Sequence, residues 1–101
     1  MILIKTPLGE AYYLSRGDRG HEVEFLQSNL NCMGNQYAVN INIDADGIFG
    51  KRTFEAVKSF QRYVRNSWNC KSMSVDGIAG KDTWTAIYAL MDGYNPHRYI
   101  S

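Results

Sequence analysis

The chain has little net charge, few prolines and no long apolar run. Eleven basic and ten acidic side chains leave a formal net charge of +1 on its 101 residues. This balance argues against nucleic acid as the main partner, because phosphate backbones are bound by strongly basic surfaces. No apolar stretch approaches the roughly 18 residues of a membrane span, so none is predicted. The opening Met1–Lys5 is too short and wrongly ordered for a signal peptide, so any secretion signal is expected upstream in a longer parent chain or to have been removed.

Cysteine and histidine are equally scarce, with two of each. Cys32 and Cys70 form no C-x-x-C pair, and with His21 and His97 they make no recognised zinc spacing. They could form one disulfide, but we favour two free, half-buried thiols because the core is large enough without a bridge. The chain also has no His-x-x-Glu pair and no Gly-x-Ser-x-Gly elbow. We therefore predict no catalytic residue, no metal site and no cofactor.

An internal repeat is the most informative feature that the sequence does contain. Asp46–Thr53 reads DGIFGKRT, and Asp76–Thr83, about thirty residues further along, reads DGIAGKDT. The match continues into the segments that follow, where Phe54, Ala56 and Val57 correspond to Trp84, Ala86 and Ile87. Repeats of this period are typical of two copies of one supersecondary unit. Each copy predicts a tight glycine turn that leads into a helix.

The residue types of the repeat predict the geometry of the turn. Asp46 and Asp76 can turn the chain by accepting hydrogen bonds from nearby backbone amides. The glycine after each aspartate favours a positive φ, and the isoleucine after it is expected to plug the turn into the core. The second glycine is the predicted helix N-cap, and a threonine in the first helical turn can serve a free amide. These residues are Gly47, Gly77, Ile48, Ile78, Gly50, Gly80, Thr53 and Thr83.

Apolar periodicity predicts an all-α fold, a compact three-helix bundle with little or no sheet. The helices are expected near residues 18–33, 51–65 and 81–91. Residues 1–11 contain Pro7 and Gly9 and are interpreted as an extended lead-in or linker. We expect the folded domain to cover residues 12–92 and a short tail to cover residues 93–101.

The sequence predicts further details of each helix. In the first, Asp18 is the predicted N-cap, Gly34 the predicted stop, and residues 35–43 an irregular loop or very short strand. Its core face consists of Val23, Leu26, Leu30 and Met33. The third helix is expected to turn Trp84, Ile87, Leu90 and Met91 inward. In the second helix, a basic stripe of Lys58, Arg62 and Arg65 is interpreted as a solvated face rather than a ligand site.

Three ordered blocks resemble a known family. They are Leu14-x-x-Gly17-x-x-Gly20-x-x-Val23-x-x-Leu26-Gln27-x-x-Leu30, Asp46-Gly47-x-Phe49-Gly50-x-x-Thr53-x-x-Ala56-Val57-x-x-Phe60-Gln61, and Asp76-Gly77-Ile78-x-Gly80-x-x-Thr83-Trp84. Together they resemble the peptidoglycan-binding domain over Tyr12 to Met91. The segments Met33–Asp44 and Val64–Val75 are longer than the family pattern, which affects local loop shape.

The resemblance implies a three-helix fold with internal pseudo-symmetry and a non-catalytic function. It implies that peptidoglycan is the partner and that the chain attaches a cell-wall hydrolase, such as an amidase, peptidase or glycosidase, to its substrate. We accordingly expect a monomeric module that acts outside the cell or in the cell wall, joined to a catalytic domain in a longer parent chain.

Peptidoglycan offers sugar rings and short peptides with carboxylates, so its site should combine exposed aromatic faces with amides and polar side chains. The two glycine turns place amides at helix N-termini, which suit carboxylates, and they are expected to flank one shared groove. The candidate ligand-binding residues are Asp46, Gly47, Phe49, Gly50, Asp76, Gly77 and Gly80, with Gln27, Gln61, Tyr63 and Trp84 as walls. The competing interpretation is that these residues only build the fold.

Two other functions compete with wall binding. Asn42-x-Asp44-x-Asp46-Gly47 imitates the start of a calcium-binding EF-hand loop, but Thr53 stands where that loop needs a bidentate glutamate. The resemblance also extends to the inhibitory pro-domains of matrix metalloproteinases, whose zinc-blocking cysteine lies in a Pro-Arg-Cys-Gly motif. Cys70 lies in Trp68-Asn69-Cys70-Lys71 without those neighbours. Both alternatives are therefore disfavoured.

Overall fold

The computed structural model describes residues 1–101 and contains a β-hairpin followed by three α-helices. The strands are β1 (Ile2–Thr6) and β2 (Gly9–Tyr13), and the helices are α1 (His21–Tyr37), α2 (Lys51–Ser67) and α3 (Lys81–Met91). A single 3-10 turn follows at Pro96–Arg98. The three predicted helices are confirmed, whereas the all-α prediction holds only in part, because the chain also contains a small two-stranded sheet.

The hairpin forms in the segment that was expected to be a lead-in or linker. β1 and β2 pair antiparallel in a register that runs from Ile2 opposite Tyr13 to Thr6 opposite Gly9. The Thr6 hydroxyl closes the turn, since it donates to the Gly9 carbonyl at 2.7 Å and accepts from the Leu8 amide at 3.1 Å. The residues interpreted as helix breakers therefore build a hairpin turn, and the expected boundary at residue 11 falls inside β2.

Helix α3 covers the outer edge of β2. The Trp84 indole Nε1 donates to the Tyr12 carbonyl at 2.8 Å, and the Tyr88 hydroxyl donates to the Glu10 carbonyl at 2.7 Å. Open strand edges expose unpaired backbone groups that attract further strands. Here two aromatic donors occupy those carbonyls, which attaches the hairpin to the helical part of the chain.

Helix α1 begins and ends later than predicted. Its N-cap is Gly20 and not Asp18, the predicted residue. The Asp18 carboxylate accepts a hydrogen bond from the Ser15 amide at 2.9 Å instead of capping the helix. At the other end the helix passes through Gly34, the predicted stop, and ends at Ala38 in the left-handed region. Gly34 is buried, and a methyl group there would lie 2.5 Å from the carbonyl oxygen of Ile41. This glycine therefore admits a neighbouring loop instead of terminating the helix.

One core cluster of 20 buried residues includes residues of β2 and of all three helices, and Ile4 of β1 packs against it. The predicted face of α1 is confirmed, since all four of its residues are fully buried. Two expectations are wrong: Met91 on α3 is 47% exposed and Ile48 in the first turn is 45% exposed. The largest fully buried side chains include Trp84, Phe49, Phe60, Leu14 and Leu26.

The C-terminal tail packs back on the domain, since Ile100 is 3% exposed and the Ser72 amide donates to the Ser101 carbonyl at 3.1 Å.

Cys32 is exposed, Cys70 is buried, and both thiols are free. None of the helices combines the length and apolarity needed to cross a membrane.

Replacing Gly34 with alanine tests the close approach between α1 and the following loop. In an open helix interior this change stabilises by about 0.5–1 kcal/mol. Here we expect destabilisation by about 1–3 kcal/mol, the usual cost of overpacking, because the new methyl meets a backbone carbonyl. Urea unfolding measures it, with Gly50→Ser as the control, since Gly50 has an extended backbone and open space around it. A Gly34→Ala protein as stable as the parent would contradict the packing described here.

Candidate functional site

The first repeated turn is held by one buried side-chain amide. Gln27, from the middle of α1, is fully buried, and its Nε2 donates to the Asp46 carboxylate at 3.1 Å and to the Thr53 hydroxyl at 2.9 Å. It also donates to the Ile48 carbonyl at 3.1 Å, while Oε1 accepts from the Gly47 amide at 2.9 Å. Both ends of the amide are thus used, which removes the cost of burying it.

The second turn repeats this network from α2. The Gln61 Nε2 donates to the Asp76 carboxylate and the Thr83 hydroxyl, each at 2.9 Å, and to the Ile78 carbonyl at 3.0 Å. Its Oε1 accepts from the Gly77 amide at 3.0 Å and from the Asp76 amide at 3.1 Å. The sequence repeat is therefore also a repeat of hydrogen bonds, in which a glutamine of one helix fixes the turn that starts the next.

The turn geometry predicted from the repeat is confirmed. The Ile48 and Ile78 amides donate to the carboxylates of Asp46 and Asp76 at 3.0 and 2.9 Å, as an Asx-turn requires. Gly47 and Gly77 have φ values of 77° and 75°, which a side chain rarely adopts. The two helices that follow start from Gly50 and Gly80 in extended conformation.

The segment from Leu14 to Gly20 connects the two turns. Leu14 and Ala79 exchange backbone hydrogen bonds at 2.9 and 3.2 Å, which ties the start of this segment to the second turn. Further along, the Phe49 amide donates to the Asp18 carbonyl at 3.0 Å, and the Gly20 amide donates to the Gly47 carbonyl at 2.9 Å. The two turns thus share one backbone partner, although their sequences lie far apart.

The backbone amides within the first turn are consequently not free. In the first turn, the amides of Gly47, Ile48, Phe49 and Gly50 all donate to acceptors within the chain. The free donors lie one step later, where the N–H groups of Lys51, Arg52 and Thr53 open α2 without any capping side chain. The first turn of α3 is equally uncapped. Such groups favour anions.

A shallow cavity borders each of these helix starts. The cavity at α2 has a volume of about 200 Å³ and is lined by the turn and by Lys51 and Arg52. The cavity at α3 is larger, about 360 Å³, and Lys81 lies beside Asp82 in its lining. Each lining also contains two aspartates, Asp44 and Asp46 in the first cavity and Asp76 and Asp82 in the second. The first cavity balances them with two cations and the second with one, so the first is the better match for a carboxylate.

Hydrogen bonding also changes the titration of Asp46. The Ile48 amide and, next, the Gln27 side chain lower the pKa of this carboxyl. A lowered pKa means that the ionised Asp46 carboxylate stabilises the fold above the usual titration range of aspartate, and that this contribution is lost as the pH falls through the lowered value.

The structure contains no group of three or more His, Cys, Asp or Glu side chains that could hold a metal ion.

The structure separates the candidate residues into an exposed set and a buried set. Asp46 and Asp76 are exposed, and Gly50, Gly80 and Tyr63 are partly exposed. The buried residues are Gln27, Gln61, Gly47, Gly77, Phe49 and Trp84. Phe49 is 1% exposed, so the expectation that it offers an open aromatic face is wrong. Tyr63 lies away from the turns, where its hydroxyl accepts from the Trp68 indole at 3.0 Å.

The basic stripe of α2 has one structural contact at its N-terminal end. The Lys58 ammonium lies 5.2 Å from the centre of the Phe54 ring, and the Arg16 guanidinium lies at the same distance. Both are within cation–π range. Arg62 and Arg65 are exposed, as expected for a solvated face.

Sequence reasoning missed an aromatic cluster at the hairpin. Phe25 stacks on Trp84 with a centroid distance of 5.7 Å and an interplanar angle of 15°, and the ring centroid of Tyr88 also lies 5.7 Å from that of Trp84. Phe25 is 51% exposed although it is large and apolar. Its position directly after Glu24, off the apolar stripe of α1, was the available signal.

Comparisons with known proteins agree with this architecture. The family model described as "Putative peptidoglycan binding domain" matches residues 19–67, which include α1, the first turn and α2. The crystal structure of the Burkholderia AP3 phage endolysin superposes with a TM-score of 0.59 at 35% identity, over 76% of this chain and 25% of that chain.

Two curated relatives also match. The type VI secretion system spike protein VgrG3 of Vibrio cholerae serotype O1 is 34% identical over 97 residues, which are 91% of this chain and 9% of the spike protein. A Kitasatospora aureofaciens protein, described as "Uncharacterized protein in bpoA1 3'region", is 36% identical over 84 residues, 82% of this chain and 62% of that protein. The chain thus spans less than two thirds of each relative.

Truncating either buried glutamine should destabilise the fold. We expect Gln27→Ala and Gln61→Ala each to lower the free energy of unfolding by about 2–4 kcal/mol, because each leaves a buried glycine amide without its acceptor and a threonine hydroxyl without its donor. Gln36→Ala, an exposed position on α1, is the matched control and should change stability by less than about 0.5 kcal/mol. Equal unfolding curves for all three variants would refute the role of the amide network.

Phe49 and Ile48 provide a second comparison, between adjacent residues of one turn. Phe49→Ala should cost about 3–5 kcal/mol, because it empties a core position. Ile48→Ala should cost less than about 1 kcal/mol, because that side chain is largely exposed. Thermal melts of the two variants measure the difference. If Ile48→Ala lost more thermal stability than Phe49→Ala, the assignment of Phe49 to the core and Ile48 to the surface would be wrong.

Proposed function

Because residues 19–67 carry a domain of the putative peptidoglycan-binding family, we propose that this chain is a non-catalytic module that binds peptidoglycan. The family match carries the proposal, since it covers one complete unit of glutamine, turn and helix. The second unit, from Gln61 to α3, repeats the same hydrogen bonds. Both units together form the scaffold on which the ligand-binding surface is built.

We further propose that the module attaches a larger protein to the cell wall. The chain covers a quarter of the phage endolysin and a tenth or less of the spike protein, which supports a role as one part of a longer polypeptide. The endolysin favours a parent that carries a cell-wall hydrolase, such as an amidase, peptidase or glycosidase. Such a module would act as a monomer, outside the cell or in the wall.

The exposed start of α2 is the proposed contact for the peptide part of the polymer. Free N–H groups, the cavity of about 200 Å³ and the cations of Lys51 and Arg52 come together there. Carboxylates of a stem peptide suit this combination of dipole, donors and charge. Asp44, Asp46 and Gly50 lie in the same lining, so this proposal retains the exposed part of the predicted site around the first turn. It pairs the carboxylate of the ligand with Lys51 and Arg52, and the amide N–H groups of the ligand with the two aspartates. The buried residues around them hold the turn in place.

Charge reversal at two arginines of α2 tests the location as well as the function. The intact module should co-sediment with purified, insoluble cell walls and should leave the turbidity of a wall suspension unchanged. We expect Arg52→Glu to weaken wall binding about fivefold or more, because it places an anion beside the carboxylate site.

Arg65→Glu is the matched control, since it makes the same charge change on the exposed basic stripe of the same helix. It should bind walls like the parent. Loss of binding in Arg65→Glu alone would move the contact to that stripe. Failure of the parent module to sediment with walls would refute the proposed function, and clearing of the suspension would refute its non-catalytic character.

A further inference from the structure

The groove between the hairpin, the start of α1 and α3 differs from the other cavities of the molecule. It has a volume of about 370 Å³, and most of its lining residues are hydrophobic, whereas polar residues dominate the other three cavities. Leu3 and Tyr12 form one side, and the cluster of Phe25, Trp84 and Tyr88 forms the other. The volume lies in the range of small-ligand pockets, about 300–1,000 Å³.

The exposed aromatic ring in this groove is held in a fixed orientation. Phe25 is 51% exposed on one face, while its other face stacks on the buried Trp84 ring. Trp84 is fixed in turn by the hydrogen bond from its indole to the Tyr12 carbonyl. A large, exposed and immobilised apolar surface costs free energy in water unless a partner covers it.

The polar groups of the groove select the chemistry of that partner. Glu10, Glu22 and His21 contribute to the lining, and no lysine or arginine does. Two carboxylates without a cation disfavour anions and accept hydrogen bonds from hydroxyl and amide donors. The occupant is therefore not an anion, and it combines a flat apolar face with hydrogen-bond donors along its rim.

An extended peptide is a poor occupant of this groove. Peptides that lie beside a strand gain affinity by pairing with its free edge. The carbonyls of Glu10 and Tyr12, which would pair with such a peptide, already accept hydrogen bonds from Tyr88 and Trp84. Strand addition at β2 is therefore blocked by groups of the protein itself.

We propose that this groove binds a sugar unit of the glycan strand, an N-acetylated hexosamine, with its ring stacked on Phe25. A pyranose ring presents C–H groups on its face and hydroxyl and acetamido N–H donors at its rim, which match the aromatic face and the carboxylates. The inference rests on the proposed function, and it assigns the glycan to this groove and the stem peptide to the start of α2.

A single-indole protein tests this assignment directly. Trp68→Phe removes the indole at the end of α2 and leaves Trp84, beneath Phe25, as the only tryptophan. Titration with an N-acetylglucosamine tetramer should produce a saturable change in its fluorescence. Adding Phe25→Ala should weaken binding of the tetramer about tenfold or more, because the stacking face is lost.

Met91→Ala is the matched control, since Met91 is apolar, 47% exposed and outside every cavity. It should bind the tetramer like the parent. If Phe25→Ala lowers the melting temperature too far for titration, Glu10→Gln replaces it: this surface variant keeps the shape, removes the charge, and should weaken binding about threefold or more.

Sedimentation with whole walls separates the two proposals. If the parent protein binds walls but the tetramer leaves Trp84 unchanged, or if a folded Phe25→Ala binds the tetramer as tightly as the parent, the sugar groove is refuted and wall binding stands. If the groove binds the tetramer but the protein does not sediment with walls, the proposed function is refuted and the groove remains as a saccharide site.

Discussion

The buried glutamine amide is the interaction on which the rest of the structure depends. Gln27 and Gln61 each use their nitrogen and their oxygen, so that donors and acceptors of a whole turn are satisfied by one side chain. Without it, the amide of a positive-φ glycine would be buried without an acceptor and a threonine hydroxyl would lose its donor, at a cost comparable to a large part of the stability of a small domain. The elements thus depend on one another in chain order. Gln27 of α1 holds the turn that precedes α2, and Gln61 of α2 holds the turn that precedes α3.

This internal use of the turns determines what is left for a ligand. Amides that already donate inside the chain are not available to a ligand, which leaves the uncapped first turns of the helices and the exposed side chains. Two surfaces of different chemistry remain, one at the start of α2 with free N–H groups and charged side chains, and an aromatic one at the hairpin. We propose that they bind the two components of peptidoglycan, its carboxylate-bearing peptides and its sugar rings.

Two glycines let separate parts of the chain approach each other closely. Gly34 admits the Ile41 carbonyl into the surface of α1, and Gly77 lies against the Phe54 ring, whose outer side faces two cations. Neither glycine marks the end of a helix. In both cases the absent side chain provides room for a group from another part of the chain, and interiors packed to this density do not relax around an added methyl.

The sequence by itself determined the local geometry: the Asp-Gly turns, the start of α2 at Lys51 and both ends of α3, because φ preference, Asx bonding and apolar period act within a few residues. Only the tertiary structure decided which side of each turn is buried. Phe49 points inward and Ile48 outward because the 14–20 segment pairs with the turn, and successive side chains of an extended segment face opposite sides. The hairpin likewise depends on α3, whose aromatic donors lie more than seventy residues away in the chain. Such long-range partners leave no periodic trace in the segment they stabilise, and so the stacking of Phe25 on Trp84 became visible only in the folded chain.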